Sequence, residues 1–308
     1  MQKTECFKIR LTMLNKGEDW LAEDILTNNP LLIIDCDHDG GLDPIMIVAD
    51  PFLFVHHNEL YLFYEEKSYF GHGVLKMIKT DDLERWSKPE MVLKEPFHLS
   101  YPFVFEDNGK VYMIPETSAV GEVRLYQAQN DDLTKFAQID TLLRQDCKDE
   151  SIKIGYSDSS VYKHDGKYFL MTTINDSGIN TMKLYVADNL TGPYKEHPLS
   201  PICKSQKYGR NAGSVIERDG VLYRFVQDCE KRYGDNVHVF EITKMDDTSY
   251  SEKLVKEYLY DVAIPFYKEG GHQLNIVDFA GKQIIATDAK EYILYLFTRI
   301  IHKVKNLI

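Results

Sequence analysis

Paired cysteines, a basic face and a long apolar run are all missing from this sequence, and each absence excludes something. The five cysteines, Cys6, Cys36, Cys147, Cys203 and Cys229, are odd in number and widely spaced, with no C-x-x-C. That leaves neither a disulfide framework nor a zinc pattern. The net charge is −12, with 48 acidic residues against 36 basic ones, so the concentrated basic footprint of a nucleic-acid binder is excluded. The opening MQKTECFKIRLTML holds no apolar run long enough for a signal peptide, and a cytoplasmic location is expected. No Ser-His-Asp elbow, Walker loop or G-x-G-x-x-G turn is present, and no cofactor is expected. The acidic stretch around Asp35, Asp37, His38, Asp39 and Asp43 lacks the spacing of a calcium loop and reads as a solvated turn, not a metal site.

What is present is a repeat. Asp50–Glu66 (DPFLFVHHNELYLFYEE) consists of two short apolar runs about a His57-Asn58 turn. The same plan returns at Tyr101–Glu116, Asp158–Thr173, Ala212–Gln227 and, more degenerately, His272–Asp288. Each copy reads as a strand, a tight Asn/Asp-Gly-type turn and a second strand rich in aromatic and β-branched residues. Starts recur at roughly 50–60 residues, a spacing for propeller-type arrays and too long for helical solenoids. The expected fold is all-β: a five-bladed β-propeller over residues 1–289, with a lead-in at 1–48 that holds a strand at Phe7–Leu14 and a polar helical turn around Asp19–Leu26. The fifth blade shows no clear outer strands, and the N-terminal segment is available to return and complete it. Lys290–Ile308 reads as a short amphipathic helix, with Ile293, Leu296, Phe297, Ile300, Ile301 and Val304 on one face and Arg299, His302, Lys303 and Lys305 on the other. It can pack on the propeller flank or lie on an anionic membrane surface, which would place the chain at the inner face of the membrane.

In a propeller the first strand of every blade lines the central channel, so residues at its entrance converge. Here those positions are Asp50, Tyr101, Asp158, Ala212 and His272, with Arg210 and Asn211 just before the fourth. The ends of the second strands add Glu65, Glu66, Glu116, Gln227 and Asp228. Carboxylates held across a sugar-sized gap suit glycosidic chemistry, one donating a proton and one acting as base or nucleophile. Asp50, Asp158 and Glu116 are the catalytic candidates. Glu65, Tyr101, Arg210, Asn211, Gln227, Asp228 and His272 are the substrate-binding ones. Each has a plainer use: Asp50, before Pro51, can cap a turn, and the glutamates can pair with arginines. Cys229 reads as a small buried residue. His272 is expected to hold a water or a weakly bound ion. Tyr101 offers a ring face for a sugar, and Arg210 a fixed cation for a phosphate or sugar carboxylate.

The segments ADPFLF and NELYLFYEE resemble the first blade of five-bladed glycoside hydrolases, namely the family 43 arabinanases and β-xylosidases and their invertase and levansucrase relatives. That resemblance implies a base or nucleophile at Asp50, a channel histidine at His272 within GGHQLN, and a sugar contact at Arg210. Two departures stand out: Tyr101 replaces an aspartate, and SDSSV replaces the E-G-P motif of the acid, with Asp158 the nearest carboxylate. A closer resemblance is to the propeller at the N-terminus of plant glucosamine inositolphosphorylceramide transferases and of bacterial surface-polysaccharide proteins. It rests on HLSYPFVFEDNGKVYMIPE (98–116), SDSSVYKHDGKYFL (157–170), GPYKEHPLSP (192–201), RNAG (210–213) and YRFVQDCEKRYG (223–234). This likeness implies a carbohydrate-active propeller in bacterial surface-glycan (capsule or lipopolysaccharide) biosynthesis, as a glycosyl transferase or transglycosidase on activated or lipid-linked sugars. The alternatives are a family 43-type hydrolase using Asp50 with Asp158 or Glu116, and a non-catalytic propeller presenting glycan to a partner enzyme. A glycan or sugar phosphate is the expected ligand, and nucleic acid is not.

Overall fold

The computed structural model describes residues 4–22, 25–27, 29–37, 43–145 and 155–293. In chain order its strands begin with β1 (Thr4–Asn15) and β2 (Leu32–Ile34), ahead of the first repeat. The first repeat gives β3 (Ile45–His56), β4 (Glu59–Ser68), β5 (Val74–Thr80) and β6 (Glu90–Leu93). The second gives β7 (Ser100–Asp107), β8 (Lys110–Glu116), β9 (Glu122–Ala128) and β10 (Phe136–Arg144). The third gives β11 (Ser157–His164), β12 (Lys167–Asp176), β13 (Ile179–Ala187), β14 (Lys195–Glu196) and β15 (Cys203–Lys204). The fourth gives β16 (Ile216–Arg218), β17 (Val221–Asp228), β18 (Asn236–Met245) and β19 (Tyr250–Lys256), and the last gives β20 (Leu274–Phe279) and β21 (Lys282–Ile293).

Hairpins fix this order. The central pairs of the five turns, His57-Asn58, Asn108-Gly109, Asp165-Gly166, Asp219-Gly220 and Ala280-Gly281, all have positive φ at both residues. That twist matches the flanking strands, and Asn, Asp and Gly are the residues that tolerate it. Three sheets follow the repeats directly: β7–β10, β11–β15 and β16–β19. The remaining one runs β20–β21–β1–β3–β4–β5–β6, with β2 on β1. Within it, β1 and β3 are joined through a single residue pair, Phe7 with Ile47, whereas β1 lies against β21 from Thr4–Ile293 to Asn15–Lys282. The N-terminal strand thus covers the edge that β21 would otherwise expose. Alternating side chains from adjoining sheets fill the space between them, for example Phe52, Phe63, Tyr101, Phe103, Met113 and Leu125 in one cluster.

Two expectations change. The helix read from Lys290 does not begin there, because Lys290–Ile293 continue β21 against β1. The Lys290 amine is fully buried and held by the Tyr233 carbonyl and Glu5; a strand partner along the whole edge overrides the helical spacing. The rest of that segment lies outside the described residues. The Asp19–Leu26 turn is non-helical wherever it is described, and among the described residues the only helical turns are 3-10 turns at Ser118–Val120 and Pro265–Tyr267. No described helix is long and apolar enough to cross a membrane.

Candidate functional site

At the start of three repeats the inner strand carries the same distortion. The register shifts between Ala49 and Phe52, between Ser100 and Phe103, and between Ser157 and Ser160. At each shift one non-glycine residue takes the left-handed conformation: Asp50 (φ 53°), Tyr101 (φ 48°) and Asp158 (φ 51°). Such residues carry strain of order 1–3 kcal/mol and persist where their surroundings over-determine them. A bulge re-aims the side chain and frees the backbone N–H from its own ladder. These three N–H groups, and that of Asn211, find side-chain acceptors in a neighbouring repeat. Asp50 donates to Asp288 Oδ2 (3.2 Å), Tyr101 to Asp50 Oδ2 (3.0 Å), Asp158 to Glu116 Oε2 (3.2 Å) and Asn211 to Thr173 Oγ1 (3.3 Å). These side chains therefore staple successive repeats around one cavity.

That cavity has a volume of about 170 Å³ and is lined by Asp50, Glu65, Glu116, Asp158, Arg210 and His272, together with Glu5, Phe7, Lys67, His98, Ser100 and Tyr233. Asp158 is buried; its Oδ2 accepts from Arg210 Nε (2.6 Å) and from the Gln227 amide (3.1 Å). Burial lifts its carboxyl to about 7, with Arg210 opposing the rise and Glu116 adding to it. Asp50 rises to about 6, again through burial, with His272 opposing and Asp288 adding. Burial works against charge on His272, yet Asp288, 2.6 Å from its Nδ1, overcomes it and raises the imidazole to about 9. His272 is thus a buried cation whose Nε2 lies 3.8 Å from Asp50 Oδ1. Phe7 stacks on its ring at 4.7 Å and Tyr233 meets it edge-on at 5.1 Å. Gly234, at φ 60°, lets the Tyr233 turn pass over His272, since a Cβ there would come within 3.0 Å of the histidine Cβ. Glu65 is pushed well above its ordinary value by burial; its Oε1 has no hydrogen-bond partner and lies 3.5 Å from His98 Nε2.

Asp50, His272 and Asp288 bring potential ligand atoms within 4.8 Å of one another. Within this cluster Asp288 lies 2.6 Å from His272 Nδ1, and the two form a buried ion pair.

The sequence candidates divide accordingly. Asp50, Asp158, Glu116, Glu65, Arg210 and His272 share the cavity. Asn211 and Gln227 lie just behind it, Asn211 donating to the Asp158 carbonyl (2.8 Å) and Gln227 reaching the Asp158 carboxylate. Asp228 is not brought in: it is buried and its Oδ2 faces His238 Nε2 at 3.2 Å. Tyr101 is corrected as well. Its ring is 1% exposed and packs edge-on against Phe52 at 4.8 Å, so no sugar can stack on it; its contribution is the N–H that holds Asp50. Nor is Arg210 a free cation, because Asp158 holds its Nε, Glu116 lies 3.9 Å from Nη2, and the guanidinium covers the Tyr233 ring. The residues missed were Asp288, Tyr233, Phe7 and His98. Asp288 stands as far along the second strand from the Gly281 turn as Glu65 and Glu116 do from Asn58 and Gly109, and that position was its signal.

The family described as glucosamine inositolphosphorylceramide transferase 1, N-terminal, matches residues 15–280. The transferase of that name from Arabidopsis thaliana is 32% identical over 254 residues, which is 80% of this chain. The match covers 30% of that relative's length. Among solved structures, a family 117 glycoside hydrolase from the marine bacterium Zobellia galactanivorans superposes with a TM-score of 0.55 at 13% identity, over 79% of this chain and 84% of the other. A thermostable family-43 glycoside hydrolase gives 0.51 at 16% identity, over 70% and 76%. At these identities the likeness concerns the fold alone.

Proposed function

This chain belongs to the family of the N-terminal region of glucosamine inositolphosphorylceramide transferase 1, and from that premise we propose that it is a five-bladed propeller that transfers sugar residues, with Asp50 and Asp158 as the reacting carboxyls. The five blades follow from dividing the large sheet at its single Phe7–Ile47 link, which leaves β20, β21, β1 and β2 as one blade and β3–β6 as another. The observation that carries the chemistry is that Asp50 and Asp158 line one small cavity, each on a strained bulge and each raised to within a unit or so of neutrality. A carboxyl near 7 can give a proton to the departing glycosidic or phosphate oxygen. One near 6, beside a protonated imidazole, is largely ionised at pH 7 and can attack the anomeric carbon or take the proton of an acceptor hydroxyl. Glu116 is the weaker choice of acid, since Ser118 and the Asp158 N–H already occupy its two oxygens. Because Asp158 occupies Arg210 Nε and the guanidinium lies over the Tyr233 ring, the cavity suits the sugar ring itself and not a phosphate. The relatives' name, which describes transfer, supports assembly over degradation, and an activated or lipid-linked donor in surface-glycan assembly fits that reading.

One observation favours a second reading. Asp50 and Glu116 also staple neighbouring strands, and the match covers only 30% of the plant relative, so the propeller would serve as a module that presents glycan to a partner enzyme. Purified protein incubated with nucleotide sugars and lipid-linked acceptors, and separately with aryl glycosides, discriminates between the two. Transfer that is lost in Asp50→Asn and Asp158→Asn supports the proposal. Sugar binding without turnover, unchanged in both variants, would replace it with the module.

A further inference from the structure

Beside the central cavity lies a second pocket of about 370 Å³, and Arg210 lines both. We propose that this pocket is the subsite for an uncharged, hydroxyl-bearing sugar residue, the one bonded to or accepting the sugar in the Asp50–Asp158 cavity; this rests on the transfer reading above. The two spaces differ in chemistry. Carboxylates crowd the first, whereas Ser118, Ser157, Thr173, Asn175 and Asn180 line the second and Arg210 is the only charged group among the described residues of its wall.

Hydroxyls and carboxamides both donate and accept, which is what neighbouring sugar hydroxyls require, and they bring none of the desolvation cost of a bare charge. Two of these groups are uncommitted: neither the Ser157 hydroxyl nor the Asn180 side-chain amide has a hydrogen-bond partner among the described residues, although both sit on ordered strands. Others tie the pocket to the reacting groups. Ser118 Oγ donates to Glu116 Oε1 at 2.6 Å, and Thr173 Oγ1 receives the Asn211 N–H at 3.3 Å. Arg210, locked to Asp158 at 2.6 Å, forms the partition between the two spaces. A linkage crossing that partition would lie beside the Asp158 carboxyl, where a departing oxygen needs its proton.

Calorimetry on the Asp50→Asn protein tests this without turnover. The probes are methyl glycosides of common hexoses and pentoses and, for each, the disaccharide carrying the same residue at its non-reducing end. At least one disaccharide should bind about tenfold more tightly than its methyl glycoside, the worth of one or two net hydrogen bonds. Ser157→Ala with Asn180→Ala should remove that gain and leave the methyl glycoside unchanged, and Ala119→Trp, which fills the exposed wall, should do the same. Equal affinity for both probes, or equal losses for both in the variants, would overturn the subsite while leaving the central cavity intact. If neither probe class binds, the transfer reading itself fails and the subsite fails with it.

Discussion

Asp50, Asp158 and His272 are poised by burial and by one another, so pH is the natural probe at the scale of single residues. If Asp50 acts ionised and Asp158 protonated, transfer should be greatest between about pH 6 and 7, the values to which the two carboxyls are raised, and fall on either side. A rate flat from pH 5 to 8 would contradict that assignment. Stability carries the same groups with a definite sign. Folded Asp158 keeps its proton to about 7, while an ordinary aspartate loses it near 3.8. The folded state therefore binds the extra proton across that window, and stability falls as pH rises through it. His272 acts likewise at higher pH: its contribution is complete below 6.5 and lost as pH climbs through about 9. Asp288→Asn should bring the imidazole back down from about 9, read from the histidine C2-proton resonance; an unchanged titration would show that Asp288 is not its counter-ion. Asp50, Asp158, Arg210 and His272 were legible in the sequence because repeat phase places them at one strand end. Their partners were less so. Asp288 needed the same phase applied to second strands, and the burial of the Tyr101 ring depends on a bulge that no residue type announces.

Among the elements, the hairpins were the most legible, since Asn-Gly and Asp-Gly pairs between alternating runs name both the turn and its twist. Closure was harder to read because it pairs the two ends of the chain. β1 supplies the third strand beside β21, and its Leu11, fully buried, opposes Ala286. Leu11→Ala should cost about 2–5 kcal/mol, the range for a buried leucine truncation, seen as a lower urea midpoint. A loss below about 0.5 kcal/mol would mean that β1 is an appendage. The fourth repeat has its own internal clamp: Arg224 on β17 is fully buried and grips Glu252 on β19 through Nε (2.8 Å) and Nη2 (2.5 Å). Arg224→Met should destabilise by about 3–5 kcal/mol because it strands the Glu252 charge, and adding Glu252→Met should restore part of the loss. A double variant no better than the single would show that packing, not charge pairing, accounts for the cost. The expected C-terminal helix failed at its first turn for a related reason: helical spacing in Lys290–Ile293 competes with an open strand edge, and the edge wins.

For the whole molecule, circular closure gathers distant residues. Asp50 takes the Tyr101 N–H from the second repeat and gives its own N–H to Asp288 from the last. The residues so gathered put the carboxyl groups of Asp50, Glu65, Glu116 and Asp158 around one small cavity. The central claim is that this cavity breaks and remakes a glycosidic bond. The most direct measurement is product formation from a panel of nucleotide sugars and lipid-linked acceptors by the wild-type chain and its Asp50→Asn variant, with matched thermal unfolding curves for the two. The account predicts a new glycoside from the wild type, a loss of about a hundredfold or more in the variant, and an unfolding midpoint that stays within a few degrees. Transfer undiminished in Asp50→Asn, with the fold equally intact, would contradict it.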